Sequence, residues 1–268
     1  MAEKLKNYLS DFIFQLQSSG RYSFTLDELK KKYKISKTAI QQSLLRLSKK
    51  GKILSVRKRF YIIIPPEYSA KGMLPPPLFI DELMSFIKKP YYAGLLSAAS
   101  LHGSGSQQPQ DYYIITNMPP IRSISVKNVR INYISRKYFP HTGIIKIKTD
   151  TGYINASGPE LTCLDLINYF DNVGGLGRCV DIVNEMLDKL KPEAIKKILK
   201  NNIPNASIQR FGYILEEILK KKNFAEIFYE KIKNVRTFPT PLQPKISTKK
   251  NSQKNRWNII VNTNLSVE

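Results

Sequence analysis

The residues best suited to chemistry lie in one stretch, "KISKTAIQQSLLRLSKKGKILSVRKRF", residues 34–60. Gln41, Gln42 and Arg46 are groups that read base edges, because an amide bonds bidentately to adenine and a guanidinium to guanine. Lys37, Lys49, Arg57, Lys58 and Arg59 are cations of the kind that hold phosphates, and Ser36 and Thr38 add short hydroxyls. Material for catalysis is sparse. The chain has two histidines, His102 and His141, and two cysteines, Cys163 and Cys179, with no zinc-ligand spacing. Glu160 and Asp165 diverge on a predicted helix, whereas Asp181 and Glu185 share a face and read as a solvated acidic patch. "GGLG" at 174–177 precedes a helix but lacks the strand before it and the Lys-Ser/Thr after it that a phosphate loop needs. Ser104 and Ser106 have no base to pair with, and Tyr91, Tyr92, Tyr112 and Tyr113 read as core and interface aromatics. The expectation is no metal, no cofactor and no enzymatic activity.

For the base-reading residues to act together, a helix and a hairpin must position them. In a helix over 36–50, Ile40, Leu44 and Leu47 fall on one side, with Ser36 as N-cap and Gly51 as the stop. Thr38, Gln42, Arg46 and Lys49 then face the other way, flanked by Lys37 and Gln41. Leu45 projects to that side too, where it either touches a thymine methyl or packs against the first helix. Upstream, a helical stripe covers 3–17, "YSFT" forms a short strand, and Thr25 with Glu28 is a capping box opening a helix near 26–33. "KILSV" and "FYIII" make a hairpin around the basic turn. This order predicts a winged helix-turn-helix, with helix 36–50 in the major groove and Arg57, Lys58 and Arg59 on the wing.

The proline-rich stretch "PPEYSAKGMLPPP" at 65–77 reads as a linker. The expected organisation is a DNA-binding domain over 1–66, a linker over 67–77 and a second domain over 78–268. A fragment of residues 1–70 is expected to fold alone. The fold class is α+β: the winged helix-turn-helix plus a carboxy-terminal mixed α/β domain. In that second part the spacing predicts a helix over 91–103 and strands over 111–117, 122–126, 129–136, 143–149 and 153–157. A capping box of Ser157 and Glu160 precedes a helix over 160–170, and helices follow near 176–190, 192–201, 206–221 and 224–232. A Lys-rich loop at 245–256 leads to a strand-like tail.

The formal net charge is +22, from 43 Lys plus Arg against 21 Asp plus Glu. Residues 1–70 hold 15 of the cations and 5 of the anions, so the excess is densest at the amino end. Such a distribution favours a polyanionic partner. The polar amino terminus and the lack of any apolar run near ~20 residues predict a soluble, cytoplasmic protein without a membrane partner. The cysteines read as small buried hydrophobes of a reducing compartment.

Several separated segments carry a family resemblance. "YYAGLLSAASLHGSGSQQP" resembles the signature "YY.G..SA...HG...Q.P" of the AbiEi antitoxins, and "INASGPELTCLDLI" resembles the family's "S.pErTllDLl". "QRFGYILEEI" is similar to "RLGyLLE", and "PLQP" followed by "RWNIIVN" is similar to "PL.p...W.l.vN". Where the family motif often has arginine after Glu160, this chain has Leu161, so no role of that arginine carries over. The resemblance implies an autorepressor and antitoxin of a type IV toxin–antitoxin operon used in abortive infection by phage. It also implies double-stranded DNA partners, namely inverted repeats in its own promoter. A nucleotidyltransferase-like toxin would be countered without a stable complex. The alternative is a nucleic-acid-processing enzyme, a nuclease or phosphotransferase, delivered by its winged helix.

Overall fold

The computed structural model describes residues 2–33, 35–105, 110–248 and 254–265. The Gln-Pro end of the first family-like segment, the centre of the Lys-rich loop and the last residues of the expected tail strand lie outside them. The chain divides into two compact units. The first is Met1–Tyr92, Gln110–Arg136 and Lys146–Asn155; the second is Ala93–Pro109, Lys137–Ile145 and Ala156–Glu268. The architecture is α+β. Among the described residues no helix is long and apolar enough to cross a membrane.

The first unit begins with α1 (Ala2–Ser18), β1 (Ser23–Thr25), α2 (Leu26–Lys32), α3 (Lys37–Lys49), β2 (Ile53–Arg57) and β3 (Phe60–Ile63). These follow in the order expected from the sequence. The Glu28 N–H donates to Thr25 Oγ1 at 3.1 Å and the Thr25 N–H donates to Glu28 Oε2 at 2.7 Å, so both bonds of the capping box form. Gly51 has φ +67, the left-handed conformation that ends α3 at little cost for glycine. The strands form a sheet in the order β1-β3-β2 with antiparallel pairing throughout. Leu9, Phe12, Ile13 and Leu16 of α1 pack with Phe24, Leu29, Ile40, Leu44, Ile53 and Ile63 in one core.

Residues 65–77 do not run free as the composition suggested. Pro66–Tyr68 and Pro76–Leu78 are 3₁₀ turns, and Met73 and Leu74 are buried, so apolar contact overrides the proline content. The chain then enters α4 (Ile80–Ile87), which joins the same unit. Glu82 of α4 accepts from Arg21 Nε at 2.8 Å and from the Ser23 hydroxyl, and the Phe86 ring lies 5.5 Å from that of Phe60.

A six-stranded sheet follows: β4 (Tyr91–Ala93), β5 (Asp111–Asn117), β6 (Ile124–Val126), β7 (Val129–Arg136), β8 (Ile144–Thr149) and β9 (Gly152–Ser157), in the order β6-β7-β5-β4-β9-β8. The expected helix over 91–103 is corrected here. Tyr91–Ala93 is a strand, and only Leu95–Leu101 (α5) is helical. In the strand the two adjacent tyrosines alternate across the sheet, and both are buried. Each finds its own partner: Tyr91 donates to Asp81 Oδ1 at 2.8 Å, and Tyr92 Oη accepts from Arg136 at 3.0 Å.

The second unit continues from α5 into α6 (Pro159–Asn168), α7 (Leu176–Met186), α8 (Pro192–Ile198), α9 (Asn205–Tyr213) and α10 (Lys222–Ile232), with a π turn at Ile214–Ile218. Two short strands, β10 (Thr240–Pro241) and β11 (Ile259–Ile260), pair in parallel. The capping box expected from Ser157 and Glu160 does not form. Pro159 sits at the first helical position and makes Gly158 the cap residue. Ser157 instead shares a hydrogen bond with Thr162 at 2.7 Å, and Glu160 Oε1 accepts from the Lys191 N–H at 2.9 Å.

Glu82→Ala should destabilise the protein by about 1–3 kcal/mol, because Ser23, 1% exposed, is left with a stranded hydroxyl. The half-exposed Arg21 pair adds little to that. In urea titrations the double variant Ser23→Ala/Glu82→Ala should recover part of the loss. A single-variant loss unaltered in the double would refute the account.

Candidate nucleic-acid interface

The face of α3 is set by its core side. Ile40 and Leu44 are buried and Leu47 packs against the same cluster, so the opposite surface must point outward. Lys37, Thr38, Gln41, Gln42, Arg46 and Lys49 are all exposed. Among the described residues none of Lys37, Arg46 and Lys49 meets a carboxylate. Leu45 is 58% exposed on that surface, which removes packing against α1 as its role. Ser36 differs from its neighbours. Its hydroxyl accepts from the Ala39 N–H at 3.3 Å and is occupied in capping the helix.

The three cations of the hairpin turn are not equivalent. Lys58 is exposed and has no ion-pair partner among the described residues. Arg59 has φ +71 and its guanidinium pairs with Asp27 of α2, while its carbonyl accepts from the Leu26 N–H at 2.9 Å. Arg57 is half-buried at the end of β2. Its charge opposes the effect of burial on Tyr133 of β7, whose phenol burial pushes well up. Of the three expected wing cations, Lys58 is exposed without an ion pair among the described residues, Arg59 is paired with Asp27 and Arg57 is half-buried. Asp27 was not legible as the anchor of Arg59 from spacing alone, since only the pairing of Thr25 with Phe60 brings the turn beside α2. The same helix start is electrostatically set. Burial pushes the Glu28 carboxyl up, but bonds from Thr25 and Arg21 hold it below the usual carboxylate range.

Two of the residues that could have signalled catalysis, His102 and Glu185, have structural partners. His102 Nε2 lies 2.7 Å from the Ser157 carbonyl, and Glu185 Oε2 accepts from the Gly105 N–H at 2.7 Å. Cys163 and Cys179 are buried; burial pushes the Cys163 thiol up, and that of Cys179 up to about 12.

The last family-like segments meet in the second unit. The Gln209 amide donates to the carbonyls of Phe238 and Trp257 at 3.0 and 2.8 Å, and Arg210 Nε to the Leu242 carbonyl at 3.0 Å. Trp257 is fully buried and donates through its indole to Glu216 at 2.5 Å. Arg256 pairs with Glu216 and Glu226, both at 2.8 Å, and stacks 4.3 Å from the Tyr229 ring.

A family model described as the AbiEi antitoxin C-terminal domain matches residues 92–217. The fold is similar to the crystal structure of the RV2827C protein from Mycobacterium tuberculosis, with a TM-score of 0.65 and 15% identity over 95% of this chain and 91% of that one. No curated protein matches the chain.

Two outcomes test these assignments. Ser36→Ala should lower the unfolding free energy by about 1 kcal/mol, with Ser36→Asp restoring it, as expected of a cap. Unchanged stability in urea would contradict the capping role. Gly212→Ala would place a methyl carbon 2.0 Å from the Trp257 ring. It should cost about 3 kcal/mol or more in the same titration and shift the Trp257 fluorescence.

Proposed function

We propose that this chain, whose residues 92–217 match the AbiEi antitoxin C-terminal domain, is an antitoxin that represses its own toxin–antitoxin operon through α3 and the β2–β3 turn. The match to that domain supports the antitoxin role. The operator reading rests on one observation above the others: the outer surface of α3 is exposed and, among the described residues, free of carboxylate partners. In a winged helix-turn-helix this helix enters the major groove, where Gln42 and Arg46 read base edges and Thr38 and Gln41 support them. Lys37, Lys49 and Lys58 bind phosphates. Ser36 and Arg59 act one step removed, holding the helix start and the turn, and Arg57 holds the base of the hairpin.

The operator is an inverted repeat bound by a symmetric pair of molecules. The protein counters a nucleotidyltransferase-like toxin in the same operon without a stable complex and has no catalytic step of its own. The structural employment of His102, Glu160, Glu185 and both cysteines supports that last point.

Matched titrations on a duplex from immediately upstream of the coding sequence and on its scrambled counterpart test the reading. Gln42→Ala/Arg46→Ala should lose preference for the upstream duplex, at about 1–3 kcal/mol per base contact, with little change on the scrambled one. Lys49→Ala/Lys58→Ala should weaken binding to both and reduce the log–log salt slope by about 2. Equal losses on both duplexes for the Gln42/Arg46 variant would sink α3 as the base reader.

A further inference from the structure

We propose that Leu45 is a base-reading residue that selects thymine in the operator through its 5-methyl group; this rests on the operator reading above. The α3 surface is otherwise polar, and Leu45 lies within it, with Gln41 one turn before it and Lys49 one turn after. At 58% exposure it is a large aliphatic group left in water, although Ile40 and Leu44 already fill the core side of the helix. Leucine has no donor or acceptor with which to bind a phosphate or a polar base edge. The one apolar group that a base pair presents in the major groove is the thymine methyl. A leucine flanked by an amide and an ammonium therefore suits a thymine next to a purine read by Gln42 or Arg46, with the methyl and the leucine branch losing water together.

The residue also explains why the exposed surface is not uniformly cationic. Lys49 and Lys58 supply attraction that ignores sequence, whereas an apolar contact supplies discrimination that salt does not screen. Deleting the methyl from the DNA alone isolates the contact, because uracil keeps the base pairing and the polar edge of thymine.

The experiment uses the full chain and the upstream duplex in two forms, one with thymine and one with deoxyuridine throughout. Wild type should bind the uracil duplex about fourfold more weakly for each thymine read, the factor that corresponds to burying one methyl-sized group. Leu45→Ala should bind the thymine duplex more weakly and no longer distinguish the two forms, while Leu45→Met should retain the distinction. The salt slope should be the same for all three proteins, since no charge changes. Because Leu45 is exposed, its substitution leaves the core untouched. Equal binding of both duplexes by wild type overturns the thymine assignment and leaves the operator reading standing. So does a loss in Leu45→Ala that is the same on both duplexes and accompanied by a smaller species in sedimentation, which makes Leu45 a contact between copies. Failure of wild type to prefer the upstream thymine duplex over a scrambled one overturns both.

Discussion

The antiparallel pairing of Thr25 with Phe60 is the constraint on which the amino-terminal arrangement depends. β1 is three residues long, yet it fixes β3 against the start of α2, and β3 in turn fixes β2. A slip of one residue would exchange the two faces of β3, both of them covered, and take Ile63 out of the core it shares with α1 and α3. The register leaves Arg59 beside Leu26 and Asp27, where a carbonyl contact and an ion pair hold a non-glycine residue at φ +71. Such a conformation costs roughly 1–2 kcal/mol, so it persists only where neighbouring contacts impose it. The tip of the hairpin is thereby aimed by backbone geometry more than by its own charges.

Much of this part was legible in the sequence because its signals are local. The Thr25-Glu28 pair, the Ser36 cap, Gly51 and the spacing of Ile40 and Leu44 each act within one turn of helix, and all four appear in the structure. What the sequence hid depends on partners far along the chain. Nothing near Met73 and Leu74 shows that they are buried, and nothing near Arg21 points to Glu82. The proline content at 65–77 is real, but it fixes backbone angles without preventing burial. Likewise "YYAGLLSAAS" has helical composition throughout, and only the sheet on either side of β4 makes Tyr91 and Tyr92 extended. The Ser157-Glu160 spacing matched a capping box, yet Pro159 moved the helix start and Lys191 took the carboxylate.

The family-like segments were legible as a set before any of them had a physical meaning. Gly212 is there because the Trp257 ring occupies the space a side chain would need, and Gln209 and Arg210 face the chain that carries Leu242 and Trp257. Motifs separated by dozens of residues are thus two sides of one packed surface. Gln209, Arg210 and Glu216 among their polar groups bond within that surface. The surface of α3 is the reverse case, with weak motif content and side chains turned outward.

Charge placement follows the same division between holding and contacting. A turn of three consecutive cations repels itself, and the structure relieves this unequally. Asp27 neutralises Arg59, and Arg57 is half-buried, which leaves Lys58 exposed without an ion pair among the described residues. The Arg59–Asp27 pair is about half exposed and contributes at most ~1 kcal/mol, so its importance is directional. Carboxylates in this region, Asp27, Glu28 and Glu82, each serve a helix start or an ion pair, and none of the three screens the outer surface of α3. Exposed cations left without partners repel one another only weakly in water at cellular ionic strength. They release counterions when a polyanion replaces the solvent. Using the acidic residues for geometry and leaving the lysines of α3 and Lys58 uncompensated therefore costs the folded state little, and leaves the positive field on exposed surface.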